Sequence, residues 1–310
     1  MLIDWGLVAL GLVLLTFGGD WVVKGALAIA ERLGISPLLA GLVIVGFGTS
    51  SPELVISLQA AMKGSSDIAI GNIVGSNIAN ILLILGVGCV ITIMHATRLS
   101  IIRDGMTMIG ATLLFILLAS DGFLHWYDGV IFLVAIGAYL VWAYFTERLS
   151  EQNVQANGEP KAQASLFKTL ATLVVGFAAL IIGAEVFLKG AISIAETFGI
   201  SQAIIGLTLV AVGTSLPELA ATVMAAIKRE TDMAIGNVIG SNIFNILCVL
   251  GVSSLVLELP LAGRIAAIDQ WVMLAVAIML VVFMMIGRKL GRVKGLLMVL
   301  AYGAYVSTML

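Results

Sequence analysis

Two six-residue stretches decide the fold of this chain: Gly-Thr-Ser-Ser-Pro-Glu at 48–53 and Gly-Thr-Ser-Leu-Pro-Glu at 213–218. Each places a proline, which interrupts a helix because it lacks an N–H and clashes with the preceding turn, beside a glutamate. Each also lies inside a long apolar run. An ionised carboxylate in hydrocarbon is costly unless it faces a cavity, a partner or a cation. The two stretches therefore predict a pair of broken helices that carry function.

The composition around these stretches is that of a membrane protein. Of 310 residues, 61% are apolar and 11% are charged, with a mean hydropathy of +1.14, whereas a soluble domain carries about 25% charged residues. About 20 helical residues cross a bilayer, so the apolar runs predict an all-α polytopic protein with ten transmembrane helices. The predicted helices lie near 4–30, 36–62, 68–94, 100–120, 126–146, 166–194, 201–227, 233–257, 266–287 and 293–309.

Charge and cysteine content exclude several other classes. The formal net charge is −2, and no basic cluster alternates with aromatic residues, so we expect no nucleic-acid partner. Cys89 and Cys248 lie in apolar runs without Cys-x-x-Cys or histidine spacing, which indicates packing roles. No cofactor and no obligatory protein partner are expected. Asp4 and the absence of a basic leader predict that the first apolar run is a retained span.

A polar stretch divides the chain into two halves. Residues 148–165 form a predicted linker between a first five-helix unit, 1–147, and a second, 166–310. Twelve of the 16 Lys and Arg residues fall in loops on the linker side of the predicted membrane, whereas only Lys63 and Arg264 fall on the other side. The positive-inside rule therefore predicts a cytoplasmic linker and both termini outside.

The two halves are copies of each other. A shift of 165 residues aligns 18–88 with 183–253 without a gap, and 37 of these 71 positions are identical. Because each half has an odd number of predicted spans, the copies must be inserted in opposite senses. Inverted repeats with interrupted helices are typical of secondary transporters, which bind substrate near the membrane midplane.

Oxygen-bearing side chains recur in both copies at helical spacing. Thr49 and Ser50 precede Glu53 by four and three residues, and Asn72, Ser76 and Asn80 form a stripe. The candidate cation ligands are therefore Thr49, Ser50, Glu53, Ser76, Asn80 and their counterparts Thr214, Ser215, Glu218, Ser241 and Asn245. An all-oxygen site of formal charge −2 favours Ca²⁺, or Na⁺ in its place, over soft transition metals. The alternative interpretation of the stripes, and of Asn72, Asn77, Asn237 and Asn242, is interhelical hydrogen bonding.

The paired segments 48–53 with 71–80, and 213–218 with 236–245, resemble the two alpha repeats of the calcium/cation antiporter superfamily, which includes sodium/calcium exchangers. The resemblance implies two inverted five-helix repeats, with alpha repeats within 36–94 and 201–257, in a prokaryotic inner membrane. It also implies alternating access, with Ca²⁺ moved one way and Na⁺ or H⁺ the other through the ten candidate ligands. Some archaeal-type and potassium-dependent members carry Asp at the position of Asn245, which argues against potassium-dependent exchange here. The short linker leaves no room for the large regulatory domain of the animal exchangers.

The same residues can be compared with the requirements of other functions. Ca²⁺/H⁺ antiport would use the same oxygens, because burial favours protonation of a carboxylate. A cation channel or an assembly protein is disfavoured by the inverted repeat. No enzyme is expected, since the Gly-Thr-Ser stretch lacks the second glycine and the histidine of a nucleophile elbow. The pairs Asp20/Lys24 and Glu185/Lys189, spaced i, i+4, favour structural pairing over gating.

Overall fold

The computed structural model describes residues 1–64, 66–98, 100–151, 165–199 and 213–309. Within these ranges the chain is helical apart from four two-residue strands and the connecting turns. The helices are α1 (Leu2–Leu33), α2 (Pro37–Thr49), α3 (Ser51–Met62), α4 (Ile68–Ile91), α5 (Ser100–Asp121), α6 (Trp126–Glu147), α7 (Leu166–Thr197), α8 (Leu216–Ile227), α9 (Thr231–Val256), α10 (Ile265–Met285) and α11 (Arg292–Ser307). The strands are β1 (Met94–His95), β2 (Phe123–Leu124), β3 (Leu259–Pro260) and β4 (Lys289–Leu290).

Helices α1 and α7 are the longest, and they pack against each other along most of their length. Small residues make the close approach possible. A Cβ on Gly18 would lie 2.9 Å from the backbone nitrogen of Leu180, and one on Gly183 would lie 3.0 Å from that of Leu15. Backbone approach over small residues is the usual way that helices associate where lipid removes the hydrophobic driving force.

The predicted break after Thr49 is present. Ser36 caps α2 by accepting a hydrogen bond from the Leu39 N–H at 3.1 Å, α2 ends at Thr49, and α3 begins at Ser51. The two helices are bent by 40° relative to each other. Pro52 occupies the first turn of α3, where its missing N–H has no intrahelical partner to lose. In the second copy α8 begins at Leu216 with Pro217 in its first turn, while 200–212 lie outside the described residues.

Helices α4 and α9 form the centre of the bundle. Their apolar windows are 78% and 83% buried inside the protein, compared with 33% for α1 and α7. Each contains a π-helical segment, Asn80–Leu85 in α4 and Asn245–Leu250 in α9. Wider π turns inside α-helices are frequent at functional sites, and here both begin at a predicted ligand.

Short antiparallel strand pairs join the two halves at both ends of the bundle. At the end where α6 finishes and α7 begins, called the linker end here, β1 pairs with β4. At the opposite end, β2 pairs with β3. Each pairing therefore fixes the first half against the second outside the helices.

The number of membrane-spanning helices can be counted within the described residues. Among them, seven helices are long and apolar enough to cross a membrane, or eight if α2 and α3 form one broken span. Helices α8 and α11 are shorter, with 12 and 16 residues, and part of the predicted span 201–227 lies outside the described residues. A helical multi-pass membrane protein is confirmed, and the count of ten spans stays a prediction.

Candidate cation site

Glu53 and Glu218 are both fully buried, and each stands in the first turn of a helix. The partial positive charge of a helix N-terminus is favourable for a carboxylate there. The Ser50 hydroxyl donates to Glu218 Oε1 at 3.0 Å, and the Ser215 hydroxyl donates to Glu53 Oε1 at 3.5 Å. Each glutamate is thus held by the serine of the other repeat, which joins the break between α2 and α3 to the start of α8.

This crossed arrangement differs from the expectation that Thr49, Ser50 and Glu53 share the face of one helix. Ser50 has φ −82° and ψ 4°, which ends the regular helix, so Thr49 belongs to α2 and Glu53 to α3. The bend directs the Ser50 hydroxyl away from its own glutamate. The spacing of the motif predicts that serine and glutamate come together, but it does not predict that each serine bonds the glutamate of the other repeat.

The two threonines are held by amides of the central helices. Thr49 Oγ1 lies 3.4 Å from Asn237 Oδ1, and Thr214 Oγ1 lies 3.4 Å from Asn72 Oδ1. Asn237 Nδ2 in turn donates to Thr222 Oγ1 at 2.9 Å. The interpretation of Asn72 and Asn237 as interhelical hydrogen-bonding residues is therefore supported by their contacts.

Asn80 and Asn245 are placed by a second pair of asparagines. Asn80 Nδ2 donates to Asn242 Oδ1 at 3.0 Å, and Asn245 Nδ2 donates to Asn77 Oδ1 at 3.1 Å. Asn77 and Asn242 then donate to each other's main-chain carbonyls at 3.2 and 3.1 Å. These four amides form a hydrogen-bonded set across α4 and α9. Sequence reasoning gave no ligand-orienting role to Asn77 and Asn242, although their relation by the 165-residue shift was a usable signal.

The two remaining predicted ligands lie against the same helices. The Ser76 hydroxyl donates to the Ile73 carbonyl at 3.1 Å and accepts from Asn245 Nδ2 at 3.2 Å. The Ser241 hydroxyl donates to the Gly46 carbonyl on α2 at 3.4 Å. Hydrogen bonds across the repeats thus bring predicted residues of both copies to one region, and of the ten predicted ligands Thr214 is partly exposed and the other nine are buried.

Four buried oxygens in this region have no hydrogen-bond donor among the described residues: Glu53 Oε2, Glu218 Oε2, Asn80 Oδ1 and Asn245 Oδ1. A buried acceptor without a donor costs about 1–3 kcal/mol, and more when it is charged. The four oxygens are two symmetric pairs, and no described Lys, Arg or His forms an ion pair with either glutamate. Carboxylate and amide oxygens are the ligand types that a hard cation takes.

Comparison with known proteins gives concordant findings. The family model described as "Sodium/calcium exchanger protein" matches residues 3–145 and 168–310. The chain is 38% identical to the "Putative antiporter CaxA" of Alkalimonas amylolytica, with 98% of each chain covered. It is 35% identical to "Sodium/calcium exchanger MaX1" of Methanosarcina acetivorans, covering 98% of this chain and 97% of that one. A solved structure of the sodium-calcium exchanger NCX_Mj superposes with a TM-score of 0.85 at 33% identity, covering 100% of this chain and 99% of that one.

Proposed function

Because this chain belongs to the sodium/calcium exchanger protein family, we propose that it is a secondary active antiporter that exchanges Ca²⁺ for Na⁺ across the membrane. The proposed ligands are the ten residues predicted from the sequence, with Glu53 and Glu218 carrying the charge. The family is one of transporters, and no catalytic step is needed to account for the site.

The observation that carries this proposal is the set of four buried acceptor oxygens without donors. Two come from carboxylates and two from amides, and Ca²⁺ takes six to eight oxygen ligands of these types. The hydroxyls of Thr49, Ser50, Thr214 and Ser215 stand beside them on the helix breaks. No sulfur or imidazole takes part in these contacts, which favours a hard cation as the substrate.

Coupling follows from the charge of the site. With both glutamates ionised, the formal charge is −2, and closing such a site without a cation would leave two carboxylates unpaired in a low-dielectric interior. Ca²⁺ neutralises both carboxylates at once, and Na⁺ ions must replace it before the carrier can close again. Because occluding an empty site is costly, the protein reorients only with a cation bound, and one cation is exchanged for the other.

The two repeats differ in one way that supports alternating access. Helix α1 lies against α8, where a Cβ on Gly19 would be 2.9 Å from the Ala220 carbonyl oxygen and Asp20 pairs with Lys228 at 2.5 Å. The matching face of α3 is uncovered: Ile56 is 36% exposed, whereas its counterpart Ala221 is 1% exposed. We infer ten spans in two inverted repeats, a cytoplasmic linker and outside termini, with α1 of the first repeat closed against α8 of the second at the linker end.

Exchange in proteoliposomes tests the proposal. Ca²⁺ uptake driven by an outward Na⁺ gradient is expected for the unaltered protein and is expected to fall at least 100-fold in Glu53→Gln and in Glu218→Gln, because each substitution removes a charged ligand. Glu31→Gln is the matched control, since Glu31 is an exposed glutamate at the end of α1. Its uptake should equal that of the unaltered protein.

Three results would overturn or redirect this assignment. Uptake that persists in both glutamine variants would remove the site from the transport path. Uptake driven by a pH gradient alone, without Na⁺, would keep the site and reassign the counter-ion to H⁺. Conductance without any counter-ion dependence would identify a channel.

A further inference from the structure

A pair of adjoining grooves at the linker end lies away from the cation site. Their volumes are about 590 Å³ and about 690 Å³, and Ile93 and Arg292 line both. The walls come from the end of α4 and the segment after it, the end of α8, the segment after α10 and the start of α11. The joined feature is called the basic groove here and is defined by Ile93, Ile227, Arg229, Ile286, Lys289 and Arg292.

Three cations of this groove have no acidic partner. The side chains of Arg229, Lys289 and Arg292 are exposed, and they form no hydrogen bond or ion pair with another described residue. No carboxylate is among the described residues that line either groove. Lys294 differs, because its ammonium donates to three main-chain carbonyls at the end of α10 and after it. Positive charge at the basic groove is therefore available to a ligand.

The backbone at Arg229 adopts a conformation that favours glycine. Arg229 has φ +63°, a left-handed conformation that is disfavoured for a residue with a Cβ. The equivalent position of the first repeat holds Gly64, with φ +75°, as this conformation prefers. The positive-inside rule accounts for basic residues on this side of the membrane, but not for placing one where a glycine fits better.

The start of α11 adds a further anion-binding element. Gly291 precedes the helix in an extended conformation and provides no side-chain cap, so the first N–H groups of this 16-residue helix lack capping partners. Gly291, Arg292 and Val293 line the second groove. The N–H groups and positive dipole of a helix N-terminus, with arginines beside them, are suited to a phosphate group.

The rest of the groove is apolar. Ile227 is 59% exposed, Ile286 is 60% exposed and Val293 is 75% exposed, and all three stand beside the cations. A free inorganic anion would leave these side chains uncovered. A ligand with a phosphate and an acyl chain would contact both parts, and basic pockets between helices on the cytoplasmic side are known to suit acidic lipid headgroups.

We propose that the basic groove is a binding site for an anionic phospholipid, with the headgroup phosphate held by Arg229, Arg292, Lys289 and the start of α11. The acyl chains lie along Ile93, Ile227 and Ile286. The site is separate from the exchange pathway, so it stands or falls independently of the transported ions.

Lipid binding to the detergent-solubilised full-length protein tests this site, with bound lipid counted by native mass spectrometry. Short-chain phosphatidylglycerol is expected to bind, while short-chain phosphatidylcholine and inorganic phosphate at the same concentration are not. Arg229→Gln/Arg292→Gln should weaken phosphatidylglycerol binding about 30-fold, at about fivefold for each cation removed. The matched control is Arg98→Gln/Lys168→Gln, which removes two exposed cations that line neither groove and should bind as the unaltered protein does.

A glycine variant separates binding from folding. Arg229→Gly relieves the left-handed backbone, so its Tm in lipid-free detergent should be equal or higher, while its phosphatidylglycerol affinity should fall about fivefold. Equal binding of phosphatidylcholine, equal binding of inorganic phosphate, or unchanged affinity in the double variant would each overturn the proposal.

Discussion

At the residue scale, the crossed contacts between serines and glutamates are the most informative feature of the site. Ser50 serves Glu218 and Ser215 serves Glu53, so neither carboxylate is oriented by its own repeat alone. One oxygen of each carboxylate accepts a hydrogen bond in this way, and the other has no donor among the described residues. A substitution of the serine in one repeat is therefore expected to change the orientation of the glutamate in the other.

Neighbouring serines provide a direct test of this arrangement. Ser50→Ala should raise the KM for Ca²⁺ about tenfold or more, because a hydrogen bond to a charged group contributes about 1.5–3 kcal/mol. Ser51→Ala should change it less than about twofold, since the Ser51 hydroxyl donates to the Phe47 carbonyl of its own chain segment on the exposed side. Ca²⁺ uptake measured over a range of concentrations distinguishes the two variants, and equal effects would contradict the crossed arrangement.

At the element scale, the broken helix α2 is held against α9 by backbone contact. A Cβ on Gly240 would lie 2.3 Å from the Leu42 carbonyl oxygen, and one on Gly236 would lie 2.3 Å from that of Leu38. Such distances leave no space for a side chain. The position of Thr49 at the end of α2, and hence of the hydroxyls on the break, depends on these two glycines.

Alanine at one of these glycines is expected to destabilise the protein. Gly240→Ala should lower the Tm in detergent, because the Cβ forces apart two backbones, and overpacking of this kind costs about 1–3 kcal/mol. Gly137→Ala is the control within another helix, since no atom lies within 4 Å of its added Cβ, and its Tm should be unchanged or higher. A Tm of Gly240→Ala equal to that of the unaltered protein would show that α2 is not tightly packed on α9.

At the scale of the whole molecule, the repeats are alike in sequence but differ in the contacts that their equivalent residues make. Asp20 binds both Lys24 at 2.7 Å and Lys228 at 2.5 Å, which joins α1 to the end of α8. The 165-residue shift relates Asp20 to Glu185 and Lys228 to Lys63. Among the described residues, Asp20 and Lys228 form an ion pair, whereas their counterparts Glu185 and Lys63 do not. The pairing of Asp20 with Lys24 was expected, whereas the bond to Lys228 was not.

If the two repeats exchange conformations during transport, Lys63 and Glu185 should pair in the alternate state. A double-mutant cycle on the Ca²⁺ uptake rate, with Lys63→Met and Glu185→Gln, should then show coupling of about 0.5–3 kcal/mol. A cycle of Lys63→Met with Glu31→Gln is the control and should be additive. If the losses of uptake rate in Lys63→Met and Glu185→Gln were additive, this ion pair would not form during transport.

The sequence by itself determined the class of the protein and predicted which residues form the site. Low charge and long apolar runs require a bilayer, and a proline with a glutamate inside such a run requires both a helix break and a cation or other partner. The 165-residue repeat doubled every predicted ligand. The class of the protein follows from the sequence because it depends on composition and spacing, which are properties of the chain alone.

Only the tertiary structure decided which groups meet. The crossed serines, the four-amide set of Asn77, Asn80, Asn242 and Asn245, and the Asp20–Lys228 pair all join residues 162 or more positions apart. Likewise, Asp104 is bonded to Arg103 and Tyr139 inside the bundle, a network that no motif predicted. The physical reason is that helix bends and backbone contacts set the direction of each side chain, and the near-identical repeats make several partners equally compatible with the sequence.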